Sequence, residues 1–118
     1  MNVTGYKLVR MNSTGIKLSL EPTKTVLKDR DYVEFSLVIL NENPYPVKIP
    51  IFNKVFMGFD PDEMSPSMYL DWISRHFEIE ANSRWVLPLR GFQVRYPGFS
   101  LYVSIEGVTA SLEMEVEK

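Results

Sequence analysis

Apolar and polar residues alternate with period two over much of this chain. Ile16, Leu18 and Leu20 stand against Lys17 and Ser19, and Val33, Phe35 and Leu37 against Glu34 and Ser36. Near the C-terminus, Phe99, Leu101, Val103 and Ile105 alternate with Ser100, Tyr102, Ser104 and Glu106. Ala110, Leu112, Met114 and Val116 then alternate with Ser111, Glu113, Glu115 and Glu117. Successive side chains of a strand point to opposite faces, so each run predicts a strand with one buried and one wet face. At Val38-Ile39-Leu40 the pattern becomes continuously apolar, which predicts a central strand covered on both faces at that end.

Turn chemistry separates these runs. Asn41-Glu42-Asn43-Pro44-Tyr45-Pro46 divides two strands, and neither proline can donate to a sheet ladder. Val47 to Phe56 resumes a strand, with Pro50 at an edge or bulge. Phe77 to Ile79 is another, and Ala81-Asn82-Ser83 is a turn. Trp85 to Leu89 and Phe92 to Tyr96 follow, interrupted by Gly91. Pro97-Gly98 turns the chain and Gly107 breaks it again. Roughly seven to nine strands with turns every 8–12 residues or so fit an all-β, immunoglobulin-like or fibronectin-III-like two-sheet antiparallel β-sandwich. The Cys–Trp–Cys pattern of antibody domains is absent, so only the architecture is implied.

Residues 57–76 depart from this rhythm. Ser65-Pro66 reads as a helix N-cap followed by proline at the first helical position, and Met68, Tyr69, Trp72 and Ile73 share one helical face. One short helix is expected near residues 66–74. Long connections in compact domains carry function disproportionately, and methionine and aromatic side chains make adaptable contact surfaces. Two readings stay open. The helix caps one end of the sandwich, or the connection meets a protein partner through Phe59, Met64, Met68, Tyr69 and Trp72.

An N-terminal repeat, Asn2-Val3-Thr4-Gly5-Tyr6-Lys7-Leu8 and Asn12-Ser13-Thr14-Gly15-Ile16-Lys17-Leu18, suits two short strands with a glycine-containing turn between them, and reads either as a local hairpin or as a coincidence of β-friendly residues. Both copies carry an N-glycosylation pattern, at Asn2 and Asn12, which matters only in an exported protein.

Composition narrows the function classes. The 118 residues are expected to form one domain over 1–118, and 45% apolar content argues against disorder. There is no cysteine, hence no disulfide and no thiolate chemistry. The net charge is −2, and Lys54, Arg75, Arg84, Arg90 and Arg95 are dispersed, so nucleic acid is not an expected partner. No apolar run reaches the roughly 18 residues that a membrane helix needs, so no membrane insertion is expected. Met1 to Gly5 shows no secretory signal. A cytoplasmic site is expected, and an extracellular one if a signal peptide has been removed.

The chemistry-bearing residues do not assemble into a catalytic signature. His76 is the only histidine, which leaves no common zinc set, and no Gly-x-Ser-x-Gly is present. Asp60-x-Asp62 opens like a calcium loop, but Ser65 and Asp71 occupy the positions that need glycine and glutamate. No metal, no cofactor and no enzymatic activity are expected. Glu113, Glu115 and Glu117 share one strand face, where they either meet cations on a neighbouring strand or guard an exposed edge. Trp72, Trp85 and Tyr102 are candidates for stacking on sugars, with nothing to place them on one face.

Three segments resemble a known family. They are Val38-Ile39-Leu40-Asn41-Glu42-Asn43-Pro44-Tyr45-Pro46-Val47, then Phe77 to Ser83 with Val86-Leu87-Pro88-Leu89, and Tyr102 to Val108. In order and spacing over about residues 32–117 they are similar to the water-stress and hypersensitive-response (WHy) domain of the late-embryogenesis-abundant proteins. The resemblance implies a single sandwich plus a helix, no catalysis, and stress protection through contacts with other macromolecules. It carries over no functional residue, and Asn43-Pro44 only as a structural turn. The 57–76 connection and the N-terminal repeat depart from the family pattern. The competing expectation is an extracellular or cell-surface structural or adhesion module.

Overall fold

The computed structural model describes residues 7–50, 55–66 and 76–118. The described residues contain ten strands and no helix: β1 (Lys7–Leu8), β2 (Ile16–Pro22), β3 (Tyr32–Asn41), β4 (Val47–Pro50), β5 (Val55–Gly58), β6 (Ser65–Pro66), β7 (His76–Ile79), β8 (Ser83–Gln93), β9 (Gly98–Ile105) and β10 (Val108–Glu115). They form three sheets, ordered β2-β3-β8, β10-β9-β5-β6 and β1-β4-β7. All pairings are antiparallel except β1 with β4.

The inner faces follow from the alternation. Leu20, Leu37 and Leu87 lie abreast in the first sheet, and Leu101 faces Leu112 in the second. With Phe35, Ile39, Val55, Val103 and Ile105 they join one buried core. The expectation that Val38 is covered on its outer face also holds, through side chains. Glu21 stands opposite Ser36, and Arg84 opposite Leu40, on the strands flanking β3. Their ion pair, 2.6 Å long, therefore closes over Val38 between them, and Val38 is only 2% exposed. The methylene stems of such residues shield apolar surface while their charges stay wet.

Several expectations need correction. The N-terminal repeat is not a hairpin, since β1 joins β4 and β2 joins β3 in different sheets. β8 runs unbroken through Pro88 and Gly91. Among the described residues it pairs only with β3, so Pro88 can turn its missing N–H to the side without a ladder partner. Gly91 lies where three steps on β8 match two on β3, which is a bulge rather than a break. The helix expected near 66–74 does not begin at Pro66. Ser65–Pro66 is extended and pairs with Met57 and Phe56 of β5 at the sheet edge, where a proline is tolerated. The remaining residues of that helix lie outside those described, as do 51–54 of the expected 47–56 strand. His76 opens strand β7, opposite Pro50.

The Asn-Pro turn ties three loops together. Asn41 is fully buried, and its Nδ2 donates to the carbonyls of Tyr45, Ile79 and Glu80 at 2.9, 3.3 and 3.0 Å. An amide has two hydrogens, so three acceptors share them. Its Oδ1 accepts the Asn43 backbone N–H at 3.0 Å. Asn43 in turn donates through Nδ2 to the Thr14 carbonyl at 3.2 Å, and its own carbonyl accepts the Asn82 N–H. The chain thus crosses between the β2-β3-β8 and β1-β4-β7 sheets with its backbone groups satisfied by side chains, as buried turns require.

Candidate interaction surface

Register places the other end of the molecule opposite this clasp. β3 begins there at Tyr32 against Gln93, β2 ends at Pro22, and β9 begins at Gly98 against Glu115. The loops at this end are tied to one another. Arg30 N–H donates to the Val94 carbonyl and Val94 N–H to that of Asp31. The Asp29 carboxylate accepts the Tyr96 N–H at 2.9 Å, and Gln93 Nε2 donates to the Arg30 carbonyl at 3.0 Å. The Asp31 carboxylate accepts the Lys28 N–H at 2.9 Å and Lys24 Nζ at 3.3 Å. Chiefly the backbone bond, and then the Lys24 ammonium, hold its carboxyl below the ordinary carboxylate range.

Phe59 follows β5 at this end. It is 55% exposed, yet its ring sits edge-on to Phe92 with centroids 4.4 Å apart. Phe92 meets Phe99 edge-on at 5.2 Å, and both of these rings pack on the core. Exposed Phe59 is therefore held on a half-buried aromatic support. The chain then turns at Asp60, whose carboxylate accepts the Asp62 N–H at 2.9 Å and whose carbonyl accepts the Glu63 N–H. That is an Asx turn, and among the described residues no three His, Cys, Asp or Glu side chains gather to hold a metal. Met64 is half-buried and returns tight against β5, where a Cβ on Gly58 would stand 3.1 Å from the Met64 Cα.

Of the five residues expected to bind a partner, Phe59 is exposed and Met64 is packed at the turn. Met68, Tyr69 and Trp72 lie outside the described residues. The structure adds three that the sequence reading missed. Val26, Tyr32 and Tyr96 are 57%, 58% and 53% exposed at the same end as Phe59. Tyr32 had a signal in the sequence, because it falls on the wet side of its strand with Glu34 and Ser36. Trp85 and Tyr102 do not share a face. Trp85 packs inward opposite Ile39, whereas Tyr102 pairs with exposed Ser111 on the outer face of another sheet. Asn12 is exposed, while Asn2 lies outside the described residues.

No protein-family model matches the chain, and no curated protein matches it in sequence. Among the described residues no helix is long and apolar enough to cross a membrane.

Proposed function

We propose that this chain is a non-enzymatic interaction module, an immunoglobulin-like β-sandwich that contacts other proteins through the end carrying the 57–76 connection. The architecture is supported by two antiparallel sheets whose inner faces share one core. The observation that carries the reading is Phe59, an exposed aromatic ring seated on Phe92 and Phe99. Interface anchors are enriched in aromatic residues, and a side chain already fixed before binding loses less entropy on association. Val26, Tyr32 and Tyr96 are further exposed apolar side chains at the same end of the molecule. The WHy resemblance supplies the setting, stress protection through contacts with other macromolecules.

Replacing residues 59–75 by a short linker tests the assignment. Partner binding is expected to fall while the sandwich keeps its cooperative unfolding. Undiminished binding by the linker variant would remove this end from the account.

A further inference from the structure

The edge strand β10 carries Glu113 and Glu115, with Glu117 just beyond it, and of the two alternatives for this face no cation stands opposite β10 among the described residues. Glu113 faces Ser100 and Glu115 faces Gly98. The Glu113 carboxylate accepts only the Ser100 hydroxyl, at 3.4 Å, and among the described residues neither glutamate meets a Lys or Arg. Among the described residues β10 pairs with β9 alone.

The direction of its backbone groups follows from the hairpin. Glu106 and Gly107 join β9 to β10 with φ of 51° and 85°, the left-handed pair of a tight two-residue turn. In such a turn Ile105 and Val108 exchange both backbone hydrogen bonds, and the pattern alternates from there. The N–H and C=O groups of Thr109, Ser111, Glu113 and Glu115 therefore point away from β9, to an edge with no pairing strand among the described residues. Glu117 continues the series, and its outward groups are already taken. Its N–H donates to the Leu27 carbonyl at 2.8 Å and its carbonyl accepts the Asp29 N–H at 2.7 Å. This edge thus already holds an extended piece of chain at its last position. β2 approaches this edge without pairing to it, and between its end and the unpaired positions lies a groove of about 340 Å³, lined in part by Pro22, Val26, Leu27, Leu112 and Met114.

We infer that the open edge of β10 takes up an extended, lysine- or arginine-bearing polypeptide segment by strand addition. Main-chain bonds to an exposed edge supply the affinity in this mode of recognition, and alternate side chains supply the selectivity. Alternate residues of the incoming strand lie beside Glu113 and Glu115, where cations complete the charge. The residues between them face the groove beside Leu112 and Met114, where aliphatic side chains fit. A second copy of this chain is a poor occupant, because β10 against β10 sets glutamate near glutamate. The inference does not rest on the Phe59 surface.

The test is fluorescence anisotropy of a labelled peptide of about eight residues, alternating lysine and valine. One control peptide carries glutamate for lysine, and two others are methylated on alternate backbone nitrogens, one in each phase. Saturable binding of the lysine peptide is expected, with amide exchange slowed at Thr109, Ser111, Glu113 and Glu115. Binding should weaken about tenfold or more in the Glu113→Lys, Glu115→Lys protein. It should also be lost with one of the two methylated peptides. The pair Glu113→Gln, Glu115→Gln should weaken it in the same direction, which guards against a folding defect. Absent binding, equal binding of both methylated peptides, or indifference to the glutamate substitutions would overturn the proposal. So would a dimer whose β10 amides are protected before any peptide is added.

Discussion

Asn41 provides the sharpest test of how the turn holds the fold. Replacing it by leucine leaves the carbonyls of Tyr45, Ile79 and Glu80 and the Asn43 N–H without their side-chain partner. Only the bond to Ile79 is buried throughout, and the other three reach partly solvated groups. At about 1–3 kcal/mol for a buried unpaired group and less for the others, Asn41→Leu should cost about 2–4 kcal/mol. For a domain of this size that is a fall in Tm of roughly 10–15 °C. Asn41→Asp keeps the acceptor for Asn43 but sets a second oxygen against three carbonyl oxygens. Burial and those dipoles oppose ionisation, so the introduced carboxyl has a folded-state pKa above its unfolded value. The folded state then binds more protons than the unfolded state between the two values, and stability falls as pH rises through them. Urea unfolding against wild type should therefore show a larger loss for Asn41→Asp at about pH 7 than at about pH 4, with the Asn41→Leu loss nearly constant. A pH-independent loss for Asn41→Asp, or a loss below about 1 kcal/mol for Asn41→Leu, would refute the reasoning.

Other parts of the fold make separate predictions. Gly107→Ala should cost about 1–2 kcal/mol through its positive φ alone, since nothing stands within 4 Å of a Cβ there. Gly15→Ala should cost more, because its Cβ would lie 2.5 Å from Asn43 Oδ1, and thermal melts of the two variants rank them. The depressed Asp31 pKa gives stability that is present above the unfolded pKa and lost as pH falls through the folded one. Asp31→Asn should therefore melt below wild type near neutrality and approach it in acid, as a pH series of melts would show. Glu21→Gln, in an ion pair whose side chains are about half exposed, should cost less than about 1 kcal/mol in urea unfolding.

The strands that could be read from the sequence are those with a wet face. β2 and β10 alternate cleanly because one sheet face meets the core and the other is exposed, whereas the outer faces of β3 and β9 are covered in part, at Ser36, Val38 and Ser104. The turn at Asn41–Pro46 was legible because asparagine and proline have few other uses between apolar runs. Two kinds of feature were not legible. Pairing between distant segments sets the fate of the N-terminal repeat, where identical Lys-Leu pairs go to different sheets. Edge position decides whether a proline ends a strand, and the sequence of β8 around Pro88 does not record that it has one neighbour. Ser65-Pro66 had the composition of a helix start, but the Asx turn at Asp60 returns the chain to β5 and makes it extended. At the candidate surface, Phe59 could be found from its long connection. Tyr96 and Val26 are single exposed residues whose significance comes from the loops that bring them to the same end.

The most direct test of the central claim compares the wild-type protein with Phe59→Ser as baits in a lysate of the source cells, each checked by circular dichroism and a thermal melt. The ring pair with Phe92 is worth about 0.5–1.5 kcal/mol, so the variant should melt slightly lower with an unchanged folded spectrum. The account predicts at least one protein retained by the wild type and lost from the variant. Retention of the same proteins by both baits, or of none by either, would contradict it.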